Sequence, residues 1–280
     1  MNRVGYFLRR PALLLSLLFI LLVVMSALFA PWLTPFDPDE QFVEGLSLEG
    51  APLSPNSTYW LGTDLLGRDL FSRLIYGART SLLIGVVANG TAVLIGVLVG
   101  LSAGYLQGRI GGLLMRFTDI FLALPSMLLM IVLNTILKPG MVTLILVLSL
   151  FSWASVARIT RAETMSLKER DFVIASKNLG AGSVLIAVKH ILPNILGPVI
   201  VAASLGVASA ILTESSLSFL GLGISIPHAS WGSMLQEAQT YILDKPLLAV
   251  YPGLLILLTV LSFNILGDVL RSALEPKIVK

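Results

Sequence analysis

Charged residues divide this chain into long apolar segments. Six intervals between successive charges are each long enough to cross a bilayer, since a spanning helix needs about 20 apolar residues to cover roughly 30 Å of hydrocarbon. They run from Arg10 to Asp37, Arg79 to Arg109, Asp119 to Lys138, Lys138 to Arg158, Lys189 to Glu214 and Lys245 to Asp268. The pattern predicts an all-α integral membrane protein with six transmembrane helices.

Composition agrees with this interpretation. The 280 residues are 56% hydrophobic and 12% charged, and the mean hydropathy is +0.90, well above that of a soluble domain. The apolar run after Arg10 is longer than that of a signal peptide and has no small-x-small cleavage site, so we expect it to be retained as the first span.

The distribution of basic residues predicts the orientation. With a cytoplasmic N-terminus, most of the 19 Lys and Arg residues fall inside, as the positive-inside rule requires. The acidic run Asp37, Asp39, Glu40, Glu44 and Glu49 then lies outside. We therefore expect both termini in the cytoplasm. The net charge of +3 reflects cytoplasmic loops in contact with the bilayer and does not indicate nucleic-acid binding.

Domain organisation follows from the same pattern. Residues 1–78 are predicted to hold the first span and an irregular, proline-containing extracytoplasmic loop. Residues 79–276 are predicted to form a five-helix core with a long cytoplasmic loop at about 158–193. The absence of cysteine excludes disulfides and thiol metal sites.

Four glycines recur at every fourth residue of the second span, which lets another helix approach closely. The neighbour could be a helix of this subunit or of a second membrane subunit. The four are Gly96, Gly100, Gly104 and Gly108.

Candidate catalytic chemistry is sparse. Gly100-Leu-Ser-Ala-Gly104 matches a G-x-S-x-G nucleophile pattern, but Ser102 would need a nearby base, and neither His190 nor His228 is expected at its depth. An intramembrane serine hydrolase is therefore a remote alternative. We predict no catalytic residue, no metal site and no cofactor bound by this chain.

One acidic residue interrupts an otherwise uncharged span. Glu214 lies among hydroxyl side chains that include Ser215 and Ser218. An ionisable group at membrane depth is costly and is a functional candidate by default. These three residues could line a translocation pathway, or Glu214 could tie the span to the outer loop.

The cytoplasmic loop shows helical periodicity on both sides of Gly180 and Gly182. We expect two short amphipathic helices joined by a glycine turn, with Pro193 marking entry into the fifth span. Their apolar faces could lie on the membrane surface or receive a soluble partner.

This loop resembles the EAA loop of binding-protein-dependent ABC importers, in which E-A-A-x-x-x-G precedes I-x-L-P. Here Ile174-Ala175-Ser176 leads to Gly180, and His190 begins His-Ile-Leu-Pro. Ile174, Ser176 and His190 depart from the pattern. The resemblance implies that this loop couples the permease to an ATPase subunit, through Phe172, Ile174, Ala175, Ser176, Gly180, His190 and Pro193.

Three longer stretches resemble the C-type membrane subunit of the dipeptide, oligopeptide and nickel branch of these importers. They are LGTDLLGRDLFSRLIYGARTSL (61–82), ESSLSFLGLGISIPHASWGSML (214–235) and YPGLLILLTVLSFNILGDVLRSALEP (251–276). The resemblance implies a type I ABC importer permease fold and a location in a bacterial inner membrane. It also implies a second homologous permease subunit, two ATP-binding subunits that hold ATP and Mg, and an extracytoplasmic substrate-binding protein. The implied cargo is a peptide, with nickel or a nickel chelate as the alternative.

Overall fold

The computed structural model describes residues 11–274, which are almost entirely helical. Arg9 and Arg10, which contributed to the predicted orientation, lie outside this range. Within it, nine helices carry the fold: α1 (Pro11–Leu28), α2 (Leu70–Leu106), α3 (Gly108–Ala123), α4 (Ser126–Ile136), α5 (Met141–Lys168), α6 (Asp171–Asn178), α7 (Ser183–Phe219), α8 (Trp231–Ala238) and α9 (Leu247–Leu274). Short helical turns cover Ala30–Leu33, Val43–Gly45 and Gln239–Tyr241.

The glycine spacing of α2 creates its contact with α5. A Cβ atom on Gly96 would lie 2.6 Å from Val156 Cβ, and one on Gly104 would lie 2.7 Å from Thr164 Cβ. Both contacts join residues 60 positions apart (156 − 96 and 164 − 104), so the two helices run parallel. Gly100 occupies the same stripe. The glycines therefore pack within this subunit, which was one of the two interpretations of their spacing.

Gly108 does not belong to that stripe. Helix α2 ends at Leu106, and Gly108 begins α3 with a positive φ of 54°. A Cβ atom added to Gly108 would meet no heavy atom within 4 Å, so no helix packs closely against it. The regular four-residue spacing is thus interrupted by a turn that periodicity alone does not reveal. Its role is to reverse the chain.

The third predicted span consists of two helices with a sharp bend between them. Helices α3 and α4 are bent by 83° at Leu124 and Pro125, because Leu124 is extended and Pro125 supplies no amide donor. Since α2 and α5 run parallel, the segment between them must return the chain across the membrane. The pair therefore forms one broken span and completes six crossings.

Helix α7 packs antiparallel to both α2 and α9. Gly85 of α2 meets Ile211 of α7, and Gly267 of α9 meets Leu205 of α7. Helix α1 packs on α9 and α2. Six crossings place Pro11 and Leu274, the two ends of the described chain, on the same side of the membrane.

Helix α2 begins earlier than the charge pattern predicted. Its first residue is Leu70, because the Asp69 carboxylate accepts hydrogen bonds from the Ser72 amide (2.8 Å) and hydroxyl (2.6 Å). At about 1.5 Å per residue, its 37 residues exceed the thickness of the hydrocarbon. Arg73 and Arg79 therefore lie in its outer turns instead of in a loop.

The cytoplasmic loop contains only one of the two separate short helices that were predicted. Helix α6 ends before Gly180, whose φ of 84° makes the predicted turn. The second short helix, however, continues into α7 through a π-helical stretch at Ile186–Ile191. Pro193 lies in the first turn of the following α-helical part, where a proline needs no amide donor. It therefore does not mark a break before the span.

Candidate functional site

An open groove follows one face of α7 from the inner to the outer side. It consists of three adjoining cavities of about 470, 540 and 430 Å³. The inner and middle cavities share Ile159, Ala202 and Leu205, and the middle and outer cavities share Met127. The lining residues of α7 recur every three or four positions, as one face of a helix requires.

Uncharged polar groups line the middle of the groove. Among the described residues, the polar side chains there come from α2, α4, α5 and α7: Asn89, Ser126, Ser152, Ser155, Ser209 and Thr213. The same cavity exposes Met127, Met130 and Phe151. Hydroxyl and amide groups can exchange hydrogen bonds with a polar, uncharged chain, while the apolar side chains contact its non-polar parts.

Charged side chains line the inner end of the groove. The inner cavity is mainly apolar, with Ile159, Pro198 and Leu205 among its lining residues, and it also carries Glu163 and Arg271. The outer cavity is lined by Ser215 and Ser216 together with apolar residues such as Phe219. The groove thus changes from hydroxyl-bearing to charged along its length.

Glu214 lies behind this groove. Its side chain is fully buried, and its carboxylate accepts hydrogen bonds from Ser218 (2.7 Å), Ser81 (3.3 Å) and Ser215 (3.4 Å). Ser81 also accepts the Trp231 amide at 3.2 Å. Of the three predicted pathway residues, Ser215 therefore reaches the groove, whereas Glu214 and Ser218 join α2, α7 and the start of α8.

The outer cap, defined as residues 34–69 and 220–246, is joined to α2 by buried ion pairs. Arg68 Nε lies 2.6 Å from Asp64 Oδ2, and Arg68 Nη2 lies 3.1 Å from Glu237 Oε2. Arg73 reaches the same two carboxylates at 3.0 and 3.1 Å. Its Nη1 also donates to the carbonyls of Pro38 and Pro227, each at 3.3 Å.

The cytoplasmic arm, defined as residues 171–193, has a buried anchor and an exposed apolar surface. Val173 packs with Ile186, Ile191 and Ile195 in a buried cluster that also contacts Tyr105 of α2 and Leu167 of α5. Lys168 Nζ donates to the Tyr105 carbonyl at 2.7 Å and reinforces this junction. The arm is therefore fixed to the inner ends of α2, α5 and α7.

The opposite side of the arm has no covering within the described chain. Phe172 and Ile174 are each 45% exposed and Leu179 is 89% exposed. Ala175, Gly180 and Pro193 are also exposed, while Ser176 and His190 are half-buried. The seven residues predicted for coupling thus lie on one short projection, with the apolar ones open to a partner.

The groove polar residues were not identified from sequence. Their signal is a spacing of three or four between small polar residues within an apolar helix, as for Ser152 with Ser155 and for Ser209 with Thr213. Such residues also occur where helices pack closely, so periodicity alone does not separate the two roles.

Comparisons with known proteins agree with this architecture. Residues 96–280 match the family described as "Binding-protein-dependent transport system inner membrane component", and residues 4–52 match "N-terminal TM domain of oligopeptide transport permease C". A structure titled as an inward-facing MetNI methionine ABC transporter shares the fold, with a TM-score of 0.60, 18% identity, and coverage of 73% of this chain and 97% of that one.

Relatives align over nearly the whole chain. The di/tripeptide permease DppC of Pseudomonas aeruginosa is 46% identical, covering 94% of this chain and 87% of its own length. The glutathione permease GsiD of Pectobacterium atrosepticum is 39% identical (97% and 89%), and the oligopeptide permease OppC of Bacillus subtilis is 39% identical (95% and 86%).

This chain belongs to the inner-membrane permease family of binding-protein-dependent ABC importers. It is a multi-pass inner-membrane protein with the type I permease fold, and its relatives are permease subunits of transport systems. The relatives do not favour the nickel alternative. Ser102, the residue of the hydrolase alternative, is exposed on α2, and family membership gives that alternative no support.

Proposed function

We propose that this subunit forms half of a peptide pathway in an ATP-driven importer and couples that pathway to ATPase subunits through the cytoplasmic arm. The observation that carries the proposal is the arm itself. It exposes Phe172, Ile174 and Leu179 while Val173 anchors it to helices that border the groove. An exposed apolar patch on a rigid support favours a protein partner.

The open surfaces and the named relatives support the partners that we infer. A second, homologous permease subunit would close the groove, and two ATP-binding subunits would bind ATP and Mg and receive the arms. An extracytoplasmic binding protein would deliver cargo to the outer cap. In this arrangement the present chain carries no cofactor and performs no hydrolysis.

Movement of the arm would reach the groove through packed side chains. Val173 contacts the start of α7, and the same cluster includes residues of α2 and α5. A displacement of α6 would therefore act on α7 and α5, the two helices that contribute most of the middle cavity. The contact would depend mainly on Phe172, Ala175 and the shape of the Gly180 turn, because Ile174 replaces the acidic residue of the family pattern.

Peptides fit the chemistry of the middle cavity. Its uncharged hydroxyl and amide groups can bind peptide N–H and C=O groups, and its methionine side chains can contact varied residues. The relatives named as dipeptide, oligopeptide and glutathione permeases support the same substrate class.

The test is uptake by the complete complex in lipid vesicles. With its permease, ATPase and binding-protein partners present, we expect ATP-dependent accumulation of a labelled dipeptide. A nickel chelate serves as the comparison cargo. A correctly assembled complex that hydrolyses ATP but accumulates only the nickel chelate would contradict the peptide assignment.

A further inference from the structure

One ion pair joins the broken span to the helix beside the groove. Arg158 Nη2 of α5 lies 2.6 Å from Asp119 Oδ1 of α3. The two side chains are 60% and 55% exposed, so the pair is formed at a surface of this subunit. Arg158 lies between Ser155 and Ile159, which both line the groove.

Helix α3 has a turn or a bend at each end. Positive φ angles at Gln107 and Gly108 mark one end, and the 83° bend at Leu124 and Pro125 marks the other. Between these points its buried residues are Gly111, Met115 and Thr118. Within the described chain, these buried residues and the ring contacts with α5 hold the orientation of α3.

The position of α3 determines that of the groove lining. Shortly after the end of α3, Ser126 begins α4, and Ser126, Met127 and Met130 all line the middle cavity. A rotation of α3 about the Gln107–Gly108 turn would therefore displace these three side chains relative to Ser152 and Ser155 of α5.

Ring contacts alone would allow such a rotation. Phe117 and Phe121 lie against Trp153, with ring centroids 6.1 and 5.3 Å apart, and aromatic pairs keep much of their energy over a range of angles. The ion pair is more directional, because its one contact is a charge-assisted hydrogen bond that Arg158 Nη2 donates to Asp119 Oδ1.

We propose that the Asp119–Arg158 pair is a positioning contact that holds α3 and the start of α4 against α5 in one state of the transport cycle, and that it separates in another. This proposal rests on the proposed transport function. It adds a gate contact on the inner half of the groove, made by two residues that do not belong to the predicted pathway or coupling sets.

The test uses the natural absence of cysteine. The variant Asp119→Cys/Arg158→Cys is assembled with its partners in vesicles and treated with a short bifunctional methanethiosulfonate reagent, which a reductant cleaves. Relative to the same double variant before linking, we expect the linked complex to lose at least ten-fold in peptide uptake and to lose stimulation of ATP hydrolysis by the binding protein, with both restored to the level before linking after reduction. The single variants Asp119→Cys and Arg158→Cys, treated identically, are the controls.

A static structural contact would give the opposite result. If the linked complex transports and hydrolyses ATP as the unlinked one does, the pair does not separate and the proposal is wrong. Charge exchange, Asp119→Arg with Arg158→Asp, provides a second test, since it should recover uptake lost in either single variant. Failure of that recovery in a correctly assembled complex also counts against the pair.

The hydrolysis measurement separates this proposal from the peptide assignment. ATP hydrolysis stimulated by the binding protein reports on the cycle whichever cargo is carried. Lack of peptide uptake by the unmodified complex would contradict the assigned substrate, whereas the effect of linking on stimulated hydrolysis would still decide whether the pair must open.

Discussion

The outer cap and the cytoplasmic arm, at the two ends of the molecule, place their charged and apolar side chains in opposite ways. In the outer cap, charged residues are buried, and Arg68 and Arg73 share the carboxylates of Asp64 and Glu237. In the cytoplasmic arm, apolar residues are exposed and Leu179 has almost no covering. The cap pairs these charges within one chain, whereas the arm leaves an apolar surface open for the partner that we propose.

This difference teaches where stability and coupling are located. Buried, mutually paired charges are costly to disturb, so the cap is expected to remain one body with the top of α2. Exposed apolar residues contribute little to folding but can contribute strongly to association. Substitutions in the cap should therefore affect folding, and substitutions in the arm should affect assembly.

The largest effect is expected from Arg73→Ala. The substitution removes a positive charge that neutralises the Asp64 and Glu237 carboxylates, and it removes the hydrogen-bond donors to the Pro38 and Pro227 carbonyls. The free energy of unfolding should therefore fall by about 3–5 kcal/mol, as for other broken buried pairs. Thermal unfolding of the purified complex measures it. Arg79→Ala, on an exposed residue of the same helix, is the control. Equal unfolding temperatures for the two variants would show that the cap does not depend on its ion pairs.

A somewhat smaller effect is expected from Gly100→Ala. The added Cβ would lie 2.7 Å from Thr160 Cβ, so α2 and α5 must separate, at a cost of about 1–3 kcal/mol. Gly90→Ala is the matched control, because a Cβ there meets no heavy atom within 4 Å. If both variants unfold alike, the close parallel packing of the two helices is not what supports the arm.

Glu214→Gln should have a moderate effect on uptake. The amide keeps one oxygen acceptor but presents an NH2 group to serine hydroxyls that can reorient, so assembly and basal ATP hydrolysis should remain intact. Glu214→Leu, which removes all acceptors, should reduce assembly. Loss of assembly already in Glu214→Gln would show that the serine hydroxyls cannot reorient around the amide.

The smallest effect concerns salt. Because Ile174 is apolar, association through the arm should change less than about two-fold between low and physiological ionic strength, since screening weakens exposed ionic contacts. Ile174→Glu, which restores the family's acidic residue, is the comparison and should make association more dependent on salt. A strongly salt-sensitive arm in the unaltered chain would break the proposed contrast with the cap.

The sequence predicted the elements whose cause is local. Apolar runs between charges identified the spans, and the Gly180 turn was recognised because only a flexible residue suits its positive φ. The bend after Leu124 also has a local cause, which is Pro125. It was not predicted, because the spacing of charges takes no account of a proline within a span. The junction of the arm with α7 was missed because proline in a first helical turn does not interrupt a helix.

Most of the candidate site depends on partners distant in sequence. Glu214 accepts a hydrogen bond from Ser81, 133 residues earlier, and Arg73 reaches Glu237 across 164 positions. Periodicity cannot pair such residues. It could only mark Glu214 as costly in a membrane, and the interior position of its carboxylate required the structure.

Thiol cross-linking of the arm tests the central claim most directly. In this cysteine-free chain, Phe172→Cys and Leu179→Cys are each labelled in the assembled complex with a thiol-specific photoreactive cross-linker, which on illumination bonds to any neighbouring protein, and Leu243→Cys, which is 93% exposed on the outer cap, is the control. We predict that both arm variants cross-link to an ATPase subunit and that Leu243→Cys does not. An intact complex in which neither arm residue links to an ATPase subunit would contradict coupling through this arm.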